Sequence, residues 1–407
     1  AMFTNTTPVS AYRGAGRPEA NYYMERLIDE AAREMKIDRF ELRRRNHVPP
    51  AAMPYLNTAG MSVDSGEFGR IFEEALKLTE GFEQRKAESK ARGRLRGLGL
   101  GSYLEVTAPP NKEMGGIRFE GDGGVTLITG TLDYGQGHAT PFAQVLAARL
   151  GLPFEKIRLR QDDSDEIVFG AGTGGSRSMM MSGAAIAQVS DLILKKALDL
   201  AAEALEAAQA DIEFRDGRFV VAGTDKAIGI LDLQKKFPGR LDTTHVTEVI
   251  PSAFPNGCHV CEVEIDPETG VTEVVRYGSV NDFGTVVNPL LVEGQVHGGV
   301  AQGIGQCLME SAQYDETGQL VTGSFMDYAL PRAADLPSEI GWQSHPVPAT
   351  TNPLGVKGCG EAGCAGSMTS VMNAIVDALS ALGIHRFDMP ASPARVWRAI
   401  QDSRLPR

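Results

Sequence analysis

The period of the apolar positions changes along the chain, and each change predicts a new element. From Pro18, a residue suited to the first helical position, Tyr23, Leu27, Ala31 and Met35 recur every four residues. That spacing predicts a helix with one apolar face. Asp38 and Glu41 stand at capping-box spacing and predict a second, short helix. Arg43, Arg44 and Arg45 fall in its last turn, where cations suit the dipole, and read as a solvated helix end. Residues 47–62 read as a linker, and 68–90 as one charged amphipathic helix.

From residue 94 the chain turns β-rich. Ile117 and Phe119 oppose Val125 and Leu127 across Asp122-Gly123-Gly124, a hairpin signal. Helices are predicted over 139–150 and 179–209, with a strand over 156–160. Hairpins follow over 214–221, through Asp216-Gly217, and over 258–277, through the turn 266–270. A helix over 292–313 carries glycines at 294, 298, 299, 303 and 305. Each costs about 1 kcal/mol in a helix, so together they imply close packing against another element or a ligand. Helices over 365–382 and 393–402 close the chain, and no internal repeat interrupts it. Mixed helices and hairpins define an α+β fold class.

Composition narrows the function. The 407 residues allow two or three domains. With 42% hydrophobic and 23% charged residues the chain is an ordinary globular one. Forty basic against 52 acidic residues leave a net charge of −12, which argues against a nucleic-acid partner. No apolar run approaches the roughly 18 residues of a membrane span, and residues 1–5 lack the basic and apolar regions of a secretory leader. Five cysteines, an odd number, argue against a disulfide framework and for a reducing, cytoplasmic setting. Cys258 and Cys261 have metal-ligand spacing but lie in a strand-like run without a second pair, so no protein metal site is assigned.

The 46 glycines cluster at 93–101, 115–137, 170–183, 294–305 and 355–366. Several such loops suggest a large ligand held by main chain. Four segments stand out. Gly14 and Gly16 precede a helix start that offers free N–H groups to an anion, and Arg13 adds a planar fork; a tight turn with a surface arginine reads equally well. Gly135, Gln136 and Gly137 allow close approach and a two-way amide, or form a strand-to-helix turn. Residues 170–178, ending in Ser176-Arg177-Ser178, resemble an anion nest leading into a helix but match neither the P-loop nor the dinucleotide fingerprint. Glu361, between Gly360 and Ala362-Gly363, is free of bulky neighbours and suits a general base, or a solvated loop carboxylate.

Taken in this order the segments resemble the molybdenum hydroxylases: xanthine dehydrogenase, aldehyde oxidase and the carbon monoxide dehydrogenase large subunit. The likeness covers essentially the whole chain and extends through 253–258, 293–299 and 323–331. It implies the molybdenum cofactor-binding fold of that family. Residues 1–62 would end a first molybdopterin-binding subdomain and its linker, and 63–407 would form the second. Glu361, in the Gly-x-Gly-Glu motif with Gly360, would be the base that deprotonates a water-derived oxygen. Arg13 would belong to the substrate-pocket loop. Gln136 and Gln295 would hydrogen-bond the pterin, and Ser176, Arg177 and Ser178 would hold its pyrophosphate. The implied cofactor is molybdopterin with molybdenum, as the cytosine dinucleotide. Iron–sulfur clusters and FAD would sit on partner subunits, within a homodimer of the assembled unit.

Two departures bear on the substrate, expected to be an aldehyde or an aromatic N-heterocycle. Where carbon monoxide dehydrogenases carry a copper-binding cysteine this chain has Gly14, which argues against CO oxidation. Where xanthine and aldehyde enzymes carry an aromatic it has Ala15, so the pocket is wider or is closed by another residue such as Tyr103. The chain would begin in mid-subunit, with the N-terminal half missing or a separate chain. Competing readings are an aromatic CoA-thioester reductase subunit of the same family, a non-catalytic fragment or interaction subunit, and a phosphate-binding module built on 170–178.

Overall fold

A computed structural model describes residues 8–107 and 110–405. The leader-type reading of residues 1–5 falls outside them. The chain runs α1 (Arg17–Met35), α2 (Arg39–Asn46), β1 (Tyr55–Leu56), β2 (Ser62–Val63), α3 (Phe68–Lys77), α4 (Phe82–Ala91) and β3 (Leu95–Leu104). It continues β4 (Met114–Phe119), β5 (Val125–Thr129), α5 (Ala139–Leu150), β6 (Ile157–Arg160), α6 (Ser178–Leu205), β7 (Ile212–Arg215), β8 (Arg218–Val221), β9 (Ala227–Gly229) and α7 (Ile230–Lys236). The last part holds β10 (Thr243–Val246), β11 (Asn256–Ile265), β12 (Thr272–Asp282), α8 (Pro289–Leu308), β13 (Ile340–Ser344), α9 (Ala362–Ser380) and α10 (Pro393–Arg404). The α+β class stands.

Two four-stranded sheets organise the molecule. One has the order β13-β12-β11-β3 and the other β10-β4-β5-β6. Alternation along β11 explains how the first is covered on both faces. Cys261, Val263 and Ile265 join the core with α8 and α9, while Cys258 and Val260 join the core under α3. The two cysteines with metal-ligand spacing thus lie on opposite faces of one sheet and cannot share an ion. The second sheet buries Ile117, Phe119, Val125 and Leu127 under α5 and α6. Ile117 pairs with Leu127 and Phe119 with Val125, the predicted hairpin.

Glycine decides the packing of α9. A Cβ at Gly97 or Gly99 would stand 2.0 Å from the carbonyl oxygens of Ala374 and Ser370, so the helix backbone rests directly on β3. The glycine-rich α8 uses the same device: a Cβ at Gly303 would meet Ser367 Oγ at 1.9 Å. The close packing expected for that helix is present.

Other expectations are corrected. The helix from Pro18 forms, but Tyr23, Leu27 and Met35 are exposed, and the buried residues are Pro18, Tyr22, Glu25 and Ala32. Specific partners override the apolar period: Arg26 Nη1 donates to Asn373 Oδ1 at 2.9 Å, and Arg43 donates to Glu25 Oε2 at 2.7 Å. Arg43 is therefore a buried ion-pair residue rather than part of a solvated end. Asp38 caps α2 by accepting from the Phe40 and Glu41 N–H groups, while Glu41 accepts from Arg45 instead of closing the box. The stretch 68–90 breaks into two helices at Gly81, whose φ of 74° starts α4. The linker 47–62 contains the small ladder β1–β2. Among the described residues no helix is long and apolar enough to cross a membrane.

Candidate functional site

A cavity of about 660 Å³ opens between the two sheet–helix units. It is lined from five stretches of chain: Arg13, and residues within 134–142, 173–179, 283–302 and 356–361. Its size falls in the range of small-ligand sites.

Glu361 stands on its wall, immediately before α9. Oε1 accepts from the Gly14 N–H at 2.9 Å and Oε2 from the Ser176 hydroxyl at 2.6 Å. Ser176 Oγ in turn accepts from the Glu361 N–H at 3.0 Å. Both carboxylate oxygens are thus aimed by donors, the arrangement that suits an ionised, oriented base. Ser176 reaches this position with a left-handed φ of 54°, uncommon for a residue with a Cβ. Gly358 has no alternative here, since a Cβ would stand 1.6 Å from Ser176 O.

Arg13 ties the N-terminal loop to the same place. Its Nε donates to Gly360 O at 2.5 Å, Nη1 to Gln302 Oε1 at 3.0 Å and Nη2 to Gln295 Oε1 at 2.9 Å. Gln302 was not anticipated. It follows Gln295 by seven residues on α8, so both amides sit on one helix face, and that spacing was the available signal.

The loop 133–138 is built on Asp133. Oδ1 accepts from the Gly135 and Gly137 N–H groups and Oδ2 from the His138 N–H. Burial opposes ionisation of Asp133, but these three donors outweigh it and hold its carboxyl below the usual range. Gly135 and Gln136 line the cavity, with the Gln136 Oε1 accepting from the Tyr134 N–H. Gly137 does not line it; its Cα faces Leu291 of α8, 3.1 Å from where a Cβ would be. Buried His138, stacked on Phe142, also lines the wall, and burial lowers its basicity.

Ser176, Ser178, Gln295 and Gly360 all reach the cavity as expected. Besides Gly137, two expected residues do not line it. The Gly14 N–H is committed to Glu361, and the buried Arg177 donates to Ala171 O at 2.9 Å within its own loop, beside Glu113. Nor does Tyr103 close the pocket: it is buried and donates to Asn281 Oδ1 at 2.8 Å. Ala15 is exposed and also outside the lining.

The donor set is one of amides, hydroxyls and main chain. Gly135 and Gly174 have nothing within 4 Å of a Cβ position, so bare backbone faces the open space. The 28-residue α6 starts at the cavity wall, with the partial positive charge of a helix N-terminus. Fold and cavity together define a protein with an open cavity, walled by side chains and bare main chain, between two sheet–helix units.

Comparison supplies the family. Two models described as "Molybdopterin cofactor-binding domain" match, one over residues 74–337 and one over residues 1–47. The chain belongs to the molybdopterin cofactor-binding domain family. It is 34% identical over 424 residues to the nicotine 6-hydroxylase large subunit of Paenarthrobacter nicotinovorans, covering 98% of this chain and 52% of that one. It is 33% identical over 435 residues to the carbon monoxide dehydrogenase large chain of Hydrogenophaga pseudoflava, covering 99% and 54%. Among solved structures, quinoline 2-oxidoreductase from Pseudomonas putida 86 matches with a TM-score of 0.89 at 34% identity, covering 97% of this chain and 53% of that one. A Cu,Mo-CO dehydrogenase matches with a TM-score of 0.90 at 30% identity, covering 98% and 54%. The chain spans about half the length of the curated relatives it matches. The cavity fits the cofactor class of the family in that bare backbone at Gly135 and Gly174 and the N-terminus of α6 face its open space.

Proposed function

We propose that this chain is the C-terminal part of the molybdopterin-binding large subunit of a molybdenum hydroxylase that inserts a water-derived oxygen into an aromatic N-heterocycle or an aldehyde. The overall change is R–H + H2O to R–OH with two protons and two electrons. The bound cofactor supplies the redox chemistry. This chain's residues orient and deprotonate. Glu361 takes a proton from the oxygen that attacks the substrate carbon. Ser176 and the Gly14 N–H hold its carboxylate in place. Arg13 fixes the loop that faces it.

The observation that carries this reading is the double aim of Glu361: one oxygen on Gly14 N–H, the other on Ser176 Oγ–H, inside the cavity. The N-heterocycle is favoured because two relatives are named for nicotine and quinoline. CO oxidation is disfavoured, since a Cβ at Gly14 would stand 2.4 Å from the Pro18 ring, leaving no room for a cysteine on this backbone. The same reading gives the cofactor its cytosine dinucleotide form. It places iron–sulfur clusters and FAD on partner subunits and makes the assembled unit a homodimer. Residues 1–62 and 63–407 are read as parts of two subdomains. Five unpaired cysteines support a cytoplasmic setting.

Glu361→Gln in the assembled enzyme tests the base. Molybdenum per chain should stay unchanged while turnover falls at least about 10²-fold. Near-normal turnover would refute the role.

A further inference from the structure

A second carboxyl group lies near enough to the first to feel its charge. Glu105 follows β3 and is 1% exposed. Its Oε1 accepts from the Val106 N–H at 3.0 Å and stands 3.2 Å from Arg17 Nε. Its Oε2 is buried and meets no hydrogen-bond partner among the described residues. Arg17 opens α1, and its N–H donates to Gly14 O at 3.0 Å, in the loop whose N–H holds Glu361.

The two carboxyls have opposite surroundings. Glu361 has a donor on each oxygen, so its charge is solvated by the protein. Glu105 has an oxygen with nothing to solvate it. A charge there would be far more costly than a neutral, unpaired hydroxyl. Two nearby carboxylates also resist joint ionisation.

We propose that Glu105 is the neutral member of a carboxyl pair with Glu361, and that it acts as a positioning residue through Arg17. Burial is the main force, pushing the acid up to about 8; the Val106 N–H opposes it, Glu361 adds to it, and Arg17 opposes it. The other groups facing Glu105 are Tyr103, well above its ordinary value, and Cys364, pushed up to about 12, so both keep their protons throughout this range. At neutral pH the Arg17 charge is then not cancelled by Glu105. It remains beside the loop that presents Arg13 and Gly14, whose N–H holds Glu361. Above pH 8 an ionised Glu105 cancels it and places a like charge near the base.

The inference rests on the proposed role of Glu361 for its functional meaning, but not for its test. Infrared difference spectra of the assembled protein, recorded on either side of pH 8, read protonated carboxyls directly. Wild type should show a carboxylic C=O band that bleaches near pH 8 and is absent in Glu105→Gln. Glu113, raised to about 7, gives a separate band removed in Glu113→Gln. In Glu361→Gln the Glu105 band should bleach at lower pH, because the repelling charge is gone.

If Glu105→Gln leaves the neutral-pH bands intact, Glu105 is ionised and the proposal falls. Should that variant not fold, wild type and Glu113→Gln decide: no band left after Glu113→Gln also overturns it. An unchanged midpoint in Glu361→Gln breaks the pairing. A shifted midpoint with undiminished turnover in Glu361→Gln keeps the pair and removes only the base role.

Discussion

Ser176 shows how much rests on single atoms. Its hydroxyl donates to Glu361 Oε2 and its φ of 54° puts it there. Hydrogen bonds to charged groups contribute about 1.5–3 kcal/mol. Ser176→Ala should therefore lower kcat/KM of the assembled enzyme about tenfold or more, with molybdenum content unchanged. Steady-state kinetics beside metal analysis checks this. Glu113 gives a second test at the same scale. Burial raises its acid to about 7, against the two N–H groups of Met114 and Gly130 that pull it down. The folded chain holds this proton at pH values where the unfolded chain, near the ordinary 4.5, has lost it. The group's contribution to stability therefore falls as pH rises from 4.5 to 7 and is constant above. The total is on the order of 3 kcal/mol. Melting curves should show Glu113→Gln gaining on wild type across that window, then running parallel to it.

Among elements, α9 and β3 make the tightest demand. Gly99→Ala would drive a methyl group to 2.0 Å from Ser370 O, in a contact between backbones that side chains cannot relieve. Overpacking of this kind costs about 1–3 kcal/mol or more. Gly294→Ala on α8 has nothing within 4 Å of the new atom and should stabilise by about 0.5–1 kcal/mol. Denaturant midpoints moving in opposite directions would bear out both. These glycines also mark what the sequence makes legible. Clustering announced close approach, and the hairpins at 117–127 and 258–277 were readable from alternation and turn residues. The buried face of α1 was not. Its apolar residues repeat every fourth position, yet Glu25, paired with Arg43, goes inside and Leu27 stays outside. A local period cannot register a partner eighteen positions away, still less Asn373. Short strands such as β10 and β13 escaped for a similar reason: each pairs on one side only, with a strand remote in sequence.

At the scale of the whole molecule the candidate site was readable as a set of segments but not as a geometry. Glu361, Arg13, Gln136, Gln295, Ser176 and Ser178 do converge. Gly14 and Arg177 serve the protein's own loops instead, because a backbone N–H or a guanidinium near a cavity satisfies whichever acceptor is nearest. Gln302 had only its spacing from Gln295 to mark it, and Glu105 was invisible until helix and strand were assembled. The chain covers 52% of the nicotine 6-hydroxylase large subunit, so cofactor retention is a property to measure on assemblies. Molybdenum per chain should be low for this chain purified alone and approach one when it is co-produced with the partner subunits proposed for it. Near one when alone would mean that these loops suffice. None in either case would leave the chain outside the enzyme.

The bond from Arg13 to Gly360 joins residues 347 positions apart, and Gly14 reaches Glu361 over the same interval. A chain emerging from a ribosome makes Arg13 long before Gly360. Until residues 360 and 361 have left the exit tunnel, Arg13 lacks the Gly360 carbonyl and Ser176 the Glu361 carboxylate. The order of synthesis therefore places occupancy of the cavity after the emergence of Glu361, open to control by whatever delivers the ligand from that point on.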